Sequence, residues 1–282
     1  MPMLLITSGG PGSGKSTLIQ ESFKHLLGSV PDYEMFLVDD LVEKDDNYKQ
    51  KVNKIMEEFE CKPPFDSQKC NPTRPTEALL SAFKQAYFSV RQMPGCNRNP
   101  ESLTCDQLND KGILLAMEQK ENIVIETTGS YIPTWIFDLK NVENYRVVFA
   151  YSIVAFDVLL TRNSSRATRS LLNYFYDRSQ PAPRMIDIRK EVFAPMIDQI
   201  CKTLLMLRNS CLQGSTDAQC VSKSKVCLND NTVDNLLIYD NSGSKFALIY
   251  DHRNTKDHAI STKDFKIFIE KAFLTPKFGL EL

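Results

Sequence analysis

Residues 8–17, SGGPGSGKST, place a lysine and two hydroxyls directly behind a loop that has almost no side chains. Gly9 to Ser16 fits G-x-x-x-x-G-K-[ST], a pattern whose chemistry suits a row of phosphate groups. Gly9, Gly10, Gly12 and Gly14, with Pro11 and Ser13 between them, let the backbone turn its N–H groups inward on an anion. Lys15 is expected to reach the β- and γ-phosphates and Ser16 to hold Mg²⁺ through its hydroxyl. Thr17 is placed to meet the α-phosphate. The cofactors these residues predict are ATP and Mg²⁺.

Acidic residues follow two later apolar runs. In FLVDDLVEKDD, Asp39 and then Asp40 are the first carboxylates after the expected second strand. A carboxylate there can take a proton from an attacking hydroxyl, or orient it. The bland alternative is that both residues cap the next helix. In NIVIETTGS, Glu126 stands at the end of the expected third strand, where its carboxylate predicts a contact to the metal's water shell or to substrate; the bland alternative is that it caps Thr128.

Arginines cluster further on. Residues 162–184 hold Arg162, Arg166, Arg169, Arg178 and Arg184 against one acid, Asp177. The first three are spaced i, i+4 and i+7 and share a helix face, where like charges repel unless an anion compensates. Such a face suits a lid that closes over a transferring phosphoryl group, and Arg162, Arg166, Arg169 and Arg184 are its candidates. A polynucleotide backbone is the alternative anion.

These groups need a frame that brings strand ends together. Short β-rich runs alternate with longer helical ones, which predicts an α/β fold with a mainly parallel sheet. Strands are expected at 3–7, 33–38, 122–127, 145–152, 235–240 and 246–251. Helices are expected at 15–27, 48–60, 75–92, 105–119, 155–176 and 187–209. A single domain over 1–282 is expected, of the P-loop three-layer α/β/α class, with an arginine-rich lid region at 155–190. Residues 61–104, rich in proline and cysteine, read as an insertion, and the polar stretch 210–234 as a surface excursion. The amphipathic stretch 261–273 reads as core rather than interface.

Composition narrows the function classes. A formal net charge of -1 excludes a globally basic nucleic-acid binder, though not a local basic patch. No apolar run approaches the length of a membrane helix, so no membrane partner is expected and the cytoplasm is the expected location. The eight cysteines form no CxxC pair, and reduced thiols are the expectation.

The chain resembles the zeta-toxin group of P-loop kinases, similar in layout to chloramphenicol phosphotransferases and polynucleotide kinases. The resemblance rests on GGPGSGKST, VDDLVEKDDNY, NIVIETTGS and LLIYDNSG, and covers about residues 1–250. It implies a kinase with a five-stranded parallel core and an arginine-bearing lid. Lys15 then matches the P-loop lysine, Asp39 the catalytic aspartate, and Glu126 and Thr128 the substrate contacts. Asp240, Asn241 and Ser242 match a late loop near the adenine. Bacterial members phosphorylate UDP-N-acetylglucosamine at a sugar hydroxyl, and an antitoxin-like protein partner stays open. The 61–104 segment and the scattered arginines depart from the group's pattern, which leaves the acceptor open.

The reading is therefore an ATP-dependent kinase that transfers the γ-phosphate to a hydroxyl of a small molecule. A 5′-hydroxyl polynucleotide kinase is one rival, and a nucleotide-dependent switch without an acceptor is another. No N-K-x-D motif follows a later strand, which counts against a GTPase switch.

Overall fold

The computed structural model describes residues 1–129, 136, 142–187, 190–210, 219–220, 227–228, 233–243, 246–254 and 261–273. The chain divides into two compact units. The first comprises Met1–Met35, Leu114–Leu159 and Lys190–Leu282; the second comprises Phe36–Ile113 and Leu160–Arg189.

The strands begin with β1 (Met3–Ser8), β2 (Glu34–Phe36), β3 (Ile123–Thr127) and β4 (Arg146–Ile153), all in the first unit save the last residue of β2. A short antiparallel pair follows, β5 (Gln219–Cys220) and β6 (Cys227–Leu228), and then β7 (Asn235–Asp240) and β8 (Ala247–Asp251). The main sheet runs β2-β3-β1-β4-β7-β8. β1 is parallel to β3 and β4, β4 is parallel to β7, and β8 is antiparallel to β7. Leu4, Leu5 and Ile6 are wholly buried, as the uninterrupted apolar run requires of a strand covered on both faces.

Helix α1 (Lys15–Leu27) places Leu18, Ile19 and Phe23 against Leu5, Val148 and Leu237 of that sheet. It stops at Gly28, whose left-handed backbone (φ 78°) lets its N–H bond the Lys24 carbonyl.

The second unit is helical. Its elements are α2 (Val38–Lys44), α3 (Asp46–Glu58), α4 (Glu77–Arg91), the start of α5 (Cys105–Gln119) and α6 (Phe156–Tyr176) from Leu160 onward. Tyr48, Val52, Phe83, Tyr87, Leu171 and Tyr174 are among the buried residues of its core. Among the described residues the first unit also holds α7 (Lys190–Ser210) and α8 (Thr262–Phe273). On α8, Phe265 and Ile269 are buried, and the Arg208 guanidinium lies 5.1 Å over the Phe265 ring, so this stretch is core as expected.

Two expectations need correction. The second strand does not reach residue 38: it ends at Phe36, and Val38 already opens α2. Apolar FLV carries no length signal, and Asp39 and Asp40 favour a helix's first turn, where backbone N–H groups lack partners. The cysteines of 61–104 and its border are not reduced thiols. Cys61 pairs with Cys70 and Cys96 with Cys105, at Cα separations of 5.2 and 5.1 Å, inside the range a disulfide can span. Cys201 on α7 is buried. The 61–104 segment thus belongs to the core of the second unit, where Cys61, Phe65, Cys70, Leu79 and Leu80 are all buried. Most of 210–234, including Cys211, lies outside the described residues.

Candidate functional site

In the first unit, β1 ends at Ser8 and α1 begins at Lys15, so the six residues between them form the glycine loop. The Ser13 N–H bonds the Gly10 carbonyl at 3.0 Å, and Gly9, Gly12 and Gly14 hold φ of 152°, 79° and 85°. Two of these glycines are also sterically required. A Cβ on Gly9 would meet Ser13 Oγ at 2.4 Å and the Ser152 carbonyl oxygen at 2.8 Å. One on Gly14 would meet Asn241 Nδ2 at 2.4 Å.

The loop is braced from the sheet. Ser152 Oγ donates to the Ser13 carbonyl at 2.7 Å, and Asn241 Nδ2 donates to the same oxygen at 2.8 Å. Asn241 is fixed in turn, because its N–H bonds the Ile153 carbonyl while Asp240 accepts from the Ser242 N–H. Ser242 Oγ accepts from the Ala155 N–H at 2.8 Å. The sequence-predicted Asp240, Asn241 and Ser242 therefore sit beside the loop, and Asn241 bonds it directly. Ser152 had no motif to reveal it. Only its place on β4, one residue past the partner of Ser8, puts it at this edge.

Lys15 folds back over the loop. Its Nζ lies 3.4 Å from the Gly9 carbonyl and 3.8 Å from Glu126 Oε2. Register explains the second contact, since Thr7 on β1 pairs with Glu126 on β3. Glu126 is thus a partner of the P-loop lysine. Thr128 is exposed, one residue before Gly129, whose backbone (φ 79°) turns in the left-handed region. Ser16 and Thr17 are exposed in the first turn of α1.

This cradle fits a nucleoside triphosphate. Side chains are excluded at Gly9 and Gly14, and the Ser13 hydroxyl is buried with no hydrogen-bond partner among the described residues. The helix start adds partial positive charge.

In the second unit the Arg184 guanidinium organises the charges. Its Nη1 forms a salt bridge with Asp39, and its Nε lies 3.7 Å from Glu43 Oε1. The Tyr87 hydroxyl donates to Asp39, and the Arg184 guanidinium lies 5.1 Å over the Tyr87 ring. Burial alone would push the Arg184 guanidinium down, yet Asp39 and Glu43 make it hold its proton more firmly than usual. Burial, and then the neighbouring Asp39 carboxylate, push the Tyr87 phenol up. Burial also dominates at Glu43, whose carboxyl is raised to about 7 against the pull of Arg184 and Arg166. Asp40 instead pairs with Lys44 at 3.4 Å on the exposed side of α2.

Beside this cluster lies a cavity of about 250 Å³, lined by Glu43, Arg166 and Arg184 among others. Of the four predicted lid arginines, Arg166 and Arg184 reach this wall, whereas Arg162 and Arg169 do not line it. Glu43 and Tyr87 escaped the sequence reading. The i, i+4 spacing of Asp39 and Glu43 within VDDLVEK was the available signal for the first.

No protein-family model matches the chain, and no curated protein matches it. Among solved structures, the chain is similar to one from the PezAT chromosomal toxin–antitoxin system of Streptococcus pneumoniae. The TM-score is 0.53 at 12% identity, over 97% of this chain and 78% of that one. The fold is shared. A second similar structure is that of a protein from Chloroflexus aurantiacus assigned by inference as a kinase. It gives a TM-score of 0.29 at 11% identity, over 72% of this chain and 97% of that one, and carries no argument. With β1, the glycine loop and α1 in sequence along a mostly parallel sheet, the architecture is a mixed α/β fold of the P-loop type. Among the described residues, no helix is long and apolar enough to cross a membrane.

Proposed function

We propose that this protein is an ATP-dependent phosphotransferase that moves a γ-phosphate to the hydroxyl of a small molecule. The observation that carries the reading is the glycine cradle closed by Lys15, whose ammonium group lies between the Gly9 carbonyl and the Glu126 carboxylate. A lysine so placed exchanges protein oxygens for phosphate oxygens when nucleotide binds. The loop amides and the start of α1 hold the phosphates, and Asn241 keeps the loop in shape. Ser16 is the hydroxyl available to Mg²⁺, and Glu126 is the nearby carboxylate for its water shell; the ion supplies neutralisation of phosphate charge.

In this reading Asp39 receives or orients the acceptor proton, while Arg184 and Tyr87 hold its carboxylate in one position. Arg184 is the arginine assigned to charge on the transferring group, with Arg162, Arg166 and Arg169 held as secondary candidates. A nucleotide sugar such as UDP-N-acetylglucosamine, a nucleoside and a 5′-hydroxyl oligonucleotide are the acceptors to be compared. The toxin–antitoxin origin of the similar structure makes an antitoxin-like partner worth testing by co-purification. The two disulfides favour an oxidising compartment over the cytoplasm as the place of work.

Transfer of label from γ-labelled ATP to that acceptor panel tests the proposal, with Lys15→Ala as the control. Label on a hydroxyl compound, lost in the variant while its melting temperature is kept, is the expected result. Free phosphate alone with every acceptor would replace the kinase reading by that of a nucleotide-dependent switch.

A further inference from the structure

The cavity of the second unit has a chemical character of its own. Helix α6 lines it with Leu160, Asn163, Ser164, Ala167 and Ser170, spaced i, i+3, i+4, i+7 and i+10, so one face of the helix forms the wall. That face offers an amide and two hydroxyls at short intervals, separated by small apolar patches. Among the described residues, three guanidiniums line the same space, from Arg74, Arg166 and Arg184, against the two carboxyls of Glu43 and Asp187.

The charge balance is more positive than this count suggests. Burial holds the Glu43 carboxyl at about 7, so near neutral pH it is partly protonated and can donate a hydrogen bond. At about 250 Å³ the cavity falls just under the usual range of about 300–1,000 Å³ for ligand pockets. Among the described residues, no aromatic side chain lines it, so a nucleobase finds no ring to stack on.

We infer that this cavity binds a compact polyol of monosaccharide size bearing one anionic group, a phosphate or a carboxylate. Arg74 and Arg166 take the anion, because a guanidinium presents paired donors to either group. The amide and hydroxyls of α6 take the ring hydroxyls. Arg74 comes from the Pro72–Pro75 stretch, just behind the Cys61–Cys70 disulfide, and the Asn71 side chain accepts from the Thr73 and Arg74 N–H groups. The segment that reads from sequence as an insertion therefore supplies a wall of the binding site. That the polyol is the phosphoryl acceptor rests on the phosphotransferase reading; that it binds does not.

Isothermal titration of the full chain without nucleotide tests the inference, with glucose 6-phosphate, glucuronate, glucose and UDP-glucose as probes. One of the two anionic hexoses should bind at least tenfold more tightly than glucose, and which one does so identifies the anion. Arg74 and Arg166 are both exposed, so their alanine variants should fold, and each should weaken binding at least fivefold. Lys15→Ala should leave that affinity unchanged. The inference is overturned if neither anion outbinds glucose, if Lys15→Ala weakens binding as much as Arg74→Ala, or if UDP-glucose binds more tightly than both. ATP titrated separately into the parent and Lys15→Ala tests the phosphotransferase reading alone: equal affinities would remove that reading and leave the polyol result standing.

Discussion

Arg184 forms a salt bridge with Asp39 while its Nε lies 3.7 Å from Glu43, so one guanidinium serves two carboxylates a helical turn apart on α2. The two acids are not equivalent. Asp39 also accepts from Tyr87 and keeps a side chain 43% exposed, whereas Glu43 is only 15% exposed. Arg184 and Tyr87 both favour an ionised Asp39, while burial works against charge on Glu43.

This asymmetry sets a pH dependence of stability. The Glu43 carboxyl lies at about 7 in the fold against an ordinary 4.5, so the folded chain holds the extra proton between those values. Its stabilising contribution is complete below the ordinary value and is lost as pH rises through about 7. Gln mimics the protonated form. Glu43→Gln is therefore expected to be more stable than the parent by about 2 kcal/mol at alkaline pH, with little difference in mild acid. Denaturant unfolding at both pH values measures this. A variant less stable than the parent in alkali would show that the Arg184 pairing outweighs burial.

Tyr87 tests the positioning of Asp39. Phenylalanine keeps the ring under the Arg184 guanidinium and removes only the hydroxyl, leaving the salt bridge in place. Stability should fall by about 1–2 kcal/mol, typical for a hydrogen bond to a charged group that is partly solvated. If Asp39 handles the acceptor proton, kcat should fall several-fold with KM nearly constant, and the pH–rate profile should shift. Loss of stability with an unmoved profile would assign Tyr87 to packing alone.

How far the sequence revealed this arrangement depended on the kind of signal. The P-loop was legible because its constraint is local: glycine conformation, lysine reach and the following helix all act within ten residues. Glu126 was legible as a strand-end acid, but its partnership with Lys15 comes from β1–β3 register, which no single segment encodes. The second strand was drawn too long because FLV suits a strand and a helix start equally, and the aspartates' preference for a helix's first turn decided the matter. Arg74 and Tyr87 were invisible for a different reason. Both lie in or beside the cysteine-rich segment, and disulfide connectivity cannot be read from spacing.

Those disulfides give the next prediction. Cys61–Cys70 and Cys96–Cys105 each bridge a sequence separation of nine, and all four cysteines are buried in the second unit's core. Loops this short lose about 2–3 kcal/mol of stabilisation when opened. The Cys61→Ser, Cys70→Ser double variant should unfold at lower denaturant concentration than the parent and lose the response to dithiothreitol that belongs to this bridge. Mass spectrometry of peptides from protein alkylated in denaturant without reductant should find neither pair modified. Alkylation of all four cysteines without reductant would mean the thiols are free.

The glycine cradle gives the sharpest test of the nucleotide site. Gly14 combines two demands, a left-handed backbone at φ 85° and contact with Asn241, whose Nδ2 would lie 2.4 Å from an added Cβ. Alanine there should destabilise the fold by about 1–2 kcal/mol through the backbone alone. It should also push Asn241 off the Ser13 carbonyl and lower ATP affinity by about tenfold or more, a loss of 1.4 kcal/mol or greater. Adding Asn241→Ala removes the collision but neither the backbone penalty nor the missing brace, so the double variant should regain little ATP affinity. Near-parental affinity in the double variant would mean that the collision is the whole effect and that Asn241 is a neighbour of the loop rather than its support. Near-parental affinity in Gly14→Ala itself would place the nucleotide elsewhere, since no cradle built on backbone N–H groups at this turn could tolerate the substitution.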